Sequence, residues 1–215
     1  MMSTKLILTY ISLISGLWPI ITAIINLKNI DFTLKLVAVF FCISAMFDFA
    51  GWLFLKRYLN ITTSIPLLHI YIIISVIFYG FIYYLSFQQK QFKIITLIMT
   101  VFALTAILFY TVKNSILVYP SSSNTVLCIF LVPLSLLYFY QLLNLKEFIH
   151  IERLPMFWIN SAVLIYFSIN IFLFMLFNRL SSNHQSNFYM IPSVTNIIAN
   201  LLFAIGLLCK PQKIT

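Results

Sequence analysis

An all-α, polytopic membrane protein is the fold class this chain predicts, and three observations predict it. Seven apolar stretches follow one another along the sequence, each near the roughly 20 residues that a helix needs to cross about 30 Å of hydrocarbon. Of the whole chain, 62% is apolar and only 8% charged, where soluble domains carry roughly 25% charge. The few charges gather in short polar connectors between the stretches. The expectation is a single seven-helix transmembrane domain over residues 1–215, with no separate globular module.

The first span is read as Leu6–Leu27, headed by Lys5. It is too long for a signal-peptide core and lacks a small-residue cleavage pattern, so it is expected to remain as a span. Pro19 should kink it. Lys28-Asn29 and Asp31 lead into the second span, Leu34–Leu55, which Lys56-Arg57 closes. The third, Ser64–Phe87, ends at Gln88-Gln89-Lys90, and the fourth is Lys93–Thr111. Tyr119-Pro120-Ser121-Ser122-Ser123 then separates it from the fifth, Asn124–Leu143, with Pro133 inside. The mixed-charge stretch Lys146–Arg153, read as a solvated turn, precedes the sixth span, Pro155–Phe177. Ser181–Ser186 precedes the seventh, Phe188–Cys209, where Pro192 is a third expected kink. Trp52, Tyr83, Tyr84, Tyr110, Trp158 and Tyr189 fall near the predicted interfaces and read as an aromatic belt.

Basic residues set the expected orientation. One side carries Lys28, Lys35, Lys90, Lys93, Lys146, Arg153, Lys210 and Lys213, and the other Lys5, Lys56, Arg57, Lys113 and Arg179. The richer side is expected to be cytoplasmic, with the N-terminus outside and the C-terminus inside. Heavy use of Ile, Phe, Asn, Lys and Tyr with only 4 Gly resembles AT-rich coding. A bacterial source follows as an expectation, and with it a multi-pass inner-membrane location, where the glycosylation triplet Asn60-Ile61-Thr62 means little.

Several function classes are excluded. The net charge of +9 would suggest nucleic acid in a soluble protein, but here it is topological, so no nucleic acid is expected. Cys42, Cys128 and Cys209 are isolated, which argues against a disulfide framework, a metal cluster or a thiol oxidoreductase. No cofactor is expected. The seventh span has no lysine midway, which excludes a retinal Schiff base. The Asp-Arg-Tyr and Asn-Pro-x-x-Tyr signatures of G-protein-coupled receptors are absent, and Pro211-Gln212 lies in the tail and not in a helix. No H-E-x-x-H or G-x-S-x-G occurs.

Asp48 is the one acid inside a span, and acids at that depth normally face the bundle interior or a partner. It lies about 10 Å below the outer end of span two, and His69 about 8 Å down in span three, so His69 is the expected partner. Asn170 and Asn196 lie about 12 Å deep on spans six and seven, with Thr105 similar on span four. Ser193, Asn196 and Asn200 recur at i, i+3, i+7 and form one polar stripe. If these faces converge, Asp48, His69, Asn170, Asn196 and Asn200 make a candidate ligand-binding constellation. The competing interpretation is interhelical glue, worth about 0.6–2 kcal/mol per polar contact.

Pro155-Met156-Phe157-Trp158-Ile159-Asn160, continuing through Leu164-Ile165-Tyr166-Phe167-Ser168 and Asn170, resembles a family of small seven-span integral membrane proteins from Bacteroidota. Asn196-Ile197-Ile198, Asn200 and Phe203-Ala204-Ile205 extend the resemblance, and Leu67-Leu68-His69-Ile70-Tyr71 belongs to the same pattern. The resemblance implies a bacterial source and carries no activity with it.

Three functional readings follow. The first is a non-enzymatic sensory or accessory subunit, in which a small ligand, lipid or proton biases the Asp48/His69 layer. Its partners would be the bilayer and a cytoplasmic signalling protein or a second copy. The second is a small transporter or channel, which needs a polar route through Gln141, Asn160 and Ser161. The third is a membrane enzyme acting on lipid, which needs a second catalytic group beside Asp48 or His69.

Overall fold

The structure, a computed structural model, describes residues 4–57, 65–144, 150–176 and 190–209. All of the regular structure in these residues is helical: α1 Thr4–Ser15, α2 Leu17–Ile25, α3 Phe32–Arg57, α4 Ile65–Ser86, α5 Lys90–Asn114, α6 Ser121–Leu143, α7 Pro155–Leu176 and α8 Met190–Leu208. A single 3₁₀ turn, Ile151–Arg153, precedes α7. Seven spans are long and apolar enough to cross a membrane, α1 and α2 together forming the first. The chain is a multi-pass membrane protein.

Sequence boundaries shift in ways that have local causes. The first span breaks at Gly16, one residue before α2, because Pro19 has no N–H to return to the carbonyl of Ser15. The Thr22 hydroxyl bonds to the Trp18 and Pro19 carbonyls, each at 3.0 Å, in the turn that follows. Ser121, Ser122 and Ser123, expected in a connector, instead open α6. Pro120 stands just before the first turn, where its missing N–H costs nothing, and the Ser121 hydroxyl bonds to the Phe174 carbonyl of α7. Pro133 leaves α6 unbroken. Pro192 lies in the first turn of α8 and not at a mid-helix kink. Tyr83, expected in the interfacial belt, is core. The expected ends Ser64, Phe177 and Phe188 lie outside the described residues, as do Asn60-Ile61-Thr62, Lys146, Glu147, Arg179, Ser181–Ser186, Tyr189, Lys210 and Pro211-Gln212-Lys213, together with the side chains of Lys5, Trp52, Lys56 and Arg57.

The helices form a closed ring. In order around it, α1 and α2 pack on α8, α8 on α7, α7 on α6, α6 on α4, α4 on α3, and α3 on α2. The fourth span, α5, lies outside the ring against α4 and α6, and it turns Ile98, Val101, Phe102, Phe109 and Val112 outward. Two glycines set the closest crossings. A Cβ at Gly80 would stand 2.6 Å from the Thr100 hydroxyl on α5, and one at Gly206 would stand 2.9 Å from the Pro155 carbonyl on α7. Small residues permit such approaches in lipid, where packing drives association without a hydrophobic effect.

Candidate functional site

The two halves of the ring differ. Toward the C-terminal side the interior is filled, and α3 shows how. Leu34, Val37, Phe41, Ser44 and Asp48 recur at three- and four-residue steps, so they form one stripe. The opposite stripe, Lys35, Val39, Cys42, Met46 and Phe49, is exposed at every position. Leu34, Val37 and Phe41 are 1%, 2% and 7% exposed. Ser44, one turn on, is half-buried, and Asp48 is exposed. At about 100° per residue, Asp48 falls at the centre of the inward stripe. It is thus the one exposed residue among Leu34, Val37, Phe41, Ser44 and Asp48.

Below that level an aromatic layer fills the ring. Phe41 meets Phe203 of α8 edge-on at 4.8 Å, Phe40 meets Tyr79 of α4 at 4.9 Å, and Tyr79 meets Phe167 of α7 at 6.2 Å. One turn before Asp48, the Ser44 hydroxyl pairs with the Tyr71 hydroxyl at 3.2 Å, and Phe40 and Phe47 flank the Tyr71 ring at 6.1 and 5.8 Å. Among the described residues the only ion pair is His150 with Glu152, so Asp48 has none.

His69 is not the partner of Asp48. Its Nε2 lies 3.1 Å from the Val118 carbonyl, and its Nδ1 lies 3.2 Å from the Thr111 hydroxyl. A carbonyl only accepts, so Nε2 carries the proton and, in the neutral ring, Nδ1 accepts from Thr111. The two bonds tie α4 to Thr111 near the end of α5 and to Val118 in the connector that follows it. Asp48 and His69 match in depth, but on α4 the side chain that faces α3 is Tyr71, two residues and about 200° further round.

The asparagines divide between two seams. Asn196 donates to the Ser12 hydroxyl at 3.0 Å and Asn200 to the Ser15 hydroxyl at 2.9 Å, so this stripe joins the last span to the first. Asn26 extends the seam by donating to the Leu207 carbonyl at 2.9 Å. The repeat of Ser12 and Ser15 at three residues is the sequence signal for this contact. Asn170 donates to the Tyr166 carbonyl at 2.8 Å and to the Thr195 hydroxyl at 2.9 Å, while its buried Oδ1 has no partner. Thr105 is exposed and bonds within its own helix to Phe102. The structure thus sets Asp48 one turn from Ser44, which pairs with Tyr71, and places His69, Asn196 and Asn200 in hydrogen-bonded seams.

The polar groups near the C-terminal side are likewise committed. Tyr83 donates to the Asn160 side-chain oxygen at 2.6 Å, and Asn160 donates to the Ser135 carbonyl at 2.9 Å. Gln141 accepts from the Gln88 N–H at 2.8 Å and donates to the Ser86 carbonyl, closing the end of α4. Ser161 bonds to Phe157 of its own helix.

The fold defines a class: an all-helical, multi-pass membrane protein with seven spans long and apolar enough to cross a membrane among the described residues. Comparison with protein-family models, with curated proteins and with solved structures returns no match for the chain.

Proposed function

We propose that the protein is a non-enzymatic sensory or accessory subunit of a bacterial inner membrane, receiving a small ligand or proton in the half-open layer around Asp48. One observation carries the reading: the acid sits at the centre of the inward stripe of α3, yet is exposed and, among the described residues, without an ion pair. A carboxyl placed to join helices would be buried against a partner. The basic residues Lys28, Lys35, Lys90, Lys93 and Arg153 cluster on the face opposite the opening, which supports an opening toward the outside. The closed aromatic layer and the committed Gln141, Asn160 and Ser161 weigh against a channel. Tyr71 of α4, bonded to Ser44 of α3, gives this layer a contact through which occupancy can alter helix packing.

The test is thiol accessibility in a variant lacking Cys42, Cys128 and Cys209. Ser44→Cys and Asp48→Cys should react with a membrane-impermeant methanethiosulfonate added on the N-terminal side only. Val37→Cys, below the aromatic layer on the same stripe, should stay unreactive. Equal reaction rates at positions 37 and 48 would refute the half-open arrangement. A carrier uses a similar one-sided opening in one state of its cycle, and that second reading predicts that Val37→Cys reacts from the C-terminal side.

A further inference from the structure

We propose that the opening binds an organic ammonium ion with apolar substituents, held by the Asp48 carboxylate against the rings of Tyr71 and Phe47; this rests on the half-open reading above. The charge requirement comes from Asp48. Among the described side chains, the Ser44 hydroxyl stands one turn away on the same helix and pairs with the Tyr71 hydroxyl of α4, and neither is cationic. The nearby imidazole of His69 is turned away and fully bonded. Among the described residues, Asp48 therefore has no compensating cation.

The aromatic requirement comes from the same floor. Phe40, Phe47 and Tyr71 form a cluster with centroids 5.8 and 6.1 Å apart about Tyr71. Aromatic faces attract an ammonium through the ring quadrupole, more strongly when water is excluded. They do nothing comparable for a hydrated metal ion, and no group of three or more metal-ligating side chains occurs among the described residues. Carboxylate and rings together select an organic cation over an inorganic one.

The apolar requirement comes from the shape of the opening. Over residues 7–15 of α1, only Ser12 and Ser15 are buried, and both engage α8. The packing partners of α3 are α2 and α4. Outside its seam with α8, the first span exposes Ile7, Ile11 and Ile14. A ligand with an apolar part reaches Asp48 from within the membrane as well as from water.

The probe is benzyltrimethylammonium, with benzyl alcohol as the uncharged comparison, each titrated calorimetrically into the intact protein in maltoside micelles. The wild type should bind the cation, and Asp48→Asn should weaken it about tenfold or more. Tyr71→Phe should retain binding because the ring remains, while Tyr71→Leu should weaken it. Unchanged unfolding midpoints would certify each variant as folded. Cation binding that is indifferent to Asp48→Asn overturns the proposal, as does benzyl alcohol binding with the same dependence on Asp48. If Asp48→Cys reacts with the thiol reagent but the cation does not bind, only the ligand assignment fails. If Asp48→Cys is unreactive, the half-open reading fails with it.

Discussion

Asn160 offers the sharpest test of how the closed half is held. It is 0% exposed, accepts from Tyr83 at 2.6 Å and donates to Ser135 at 2.9 Å, thereby tying α7 to α4 and α6 at one point. Tyr83→Phe removes one hydrogen bond and should cost about 0.6–1.7 kcal/mol, the range measured between membrane helices. Asn160→Ala removes two, opens a small void and leaves the Tyr83 hydroxyl buried without an acceptor, for a total of about 2–4 kcal/mol. In the Tyr83→Phe background the same Asn160→Ala change leaves no orphaned hydroxyl. It should then cost about 1–2 kcal/mol less, and that difference is the coupling energy. The assay is reversible denaturant unfolding in mixed micelles of the four members of the cycle. A coupling below about 0.3 kcal/mol would refute the tie, the usual additivity error for independent sites. Asn160 would then be free to serve the polar route that a channel needs.

Other consequences follow from single contacts. Gly206→Val should destabilise the bundle by about 2–3 kcal/mol, since its Cβ meets both a backbone oxygen and Ile159 at 2.9 Å and the oxygen cannot rotate away; chemical unfolding would show it, and an unchanged midpoint would mean that α7 and α8 separate freely. His69→Leu should release the Val118 carbonyl and cost about 1–3 kcal/mol. Hydrogen exchange should rise at residues 115–120, where Ser115 already holds a positive φ of 67°, while the α7–α8 pair stays protected. Asn196→Leu with Asn200→Leu should loosen the first span from the last by about 1–3 kcal/mol in total; a loss of cross-linking between cysteines introduced on α1 and α8 would report it.

Span number and most span positions are legible in the sequence, because apolar length and hydrophobic run are all a bilayer requires. Depth is legible too: Asp48, His69 and Asn170 do occupy one half of the bundle. Azimuth is not. Two residues at equal depth on neighbouring antiparallel helices meet only if both point at the shared interface, and His69 points toward α5 while Tyr71 points toward α3. The repeat of Ser193, Asn196 and Asn200 marks a polar stripe, but its counterpart on α1 is harder to see. Ser12 and Ser15 stand among apolar neighbours, and serines in a membrane helix commonly bond to their own backbone, as Ser15 also does to Ser12. Tyr83 is misleading for a different reason, because a tyrosine near a span end looks interfacial until its hydroxyl is matched with Asn160.

The energetics of Asp48 separate a structural acid from one kept for function. An aspartate at the centre of a membrane helix disfavours insertion by about 2.5–3.5 kcal/mol. A structural acid would recover that cost through an ion pair, and among the described residues Asp48 has none. On the reading proposed above, access to water through the half-open layer lowers the cost, so acid and opening depend on each other. Asp48→Leu should therefore raise stability by about 1–3 kcal/mol, the part of the insertion cost that water access leaves in place. Functional sites commonly carry such a stability deficit. Asp48→Asn should give a smaller gain, because the amide is still polar. Both variants should lose cation binding in the same preparation, which distinguishes a relieved site from a merely rigid protein. A loss of more than about 1 kcal/mol in Asp48→Leu, beyond the scatter of ordinary surface changes, would show that the acid holds the bundle together and is not there for a ligand.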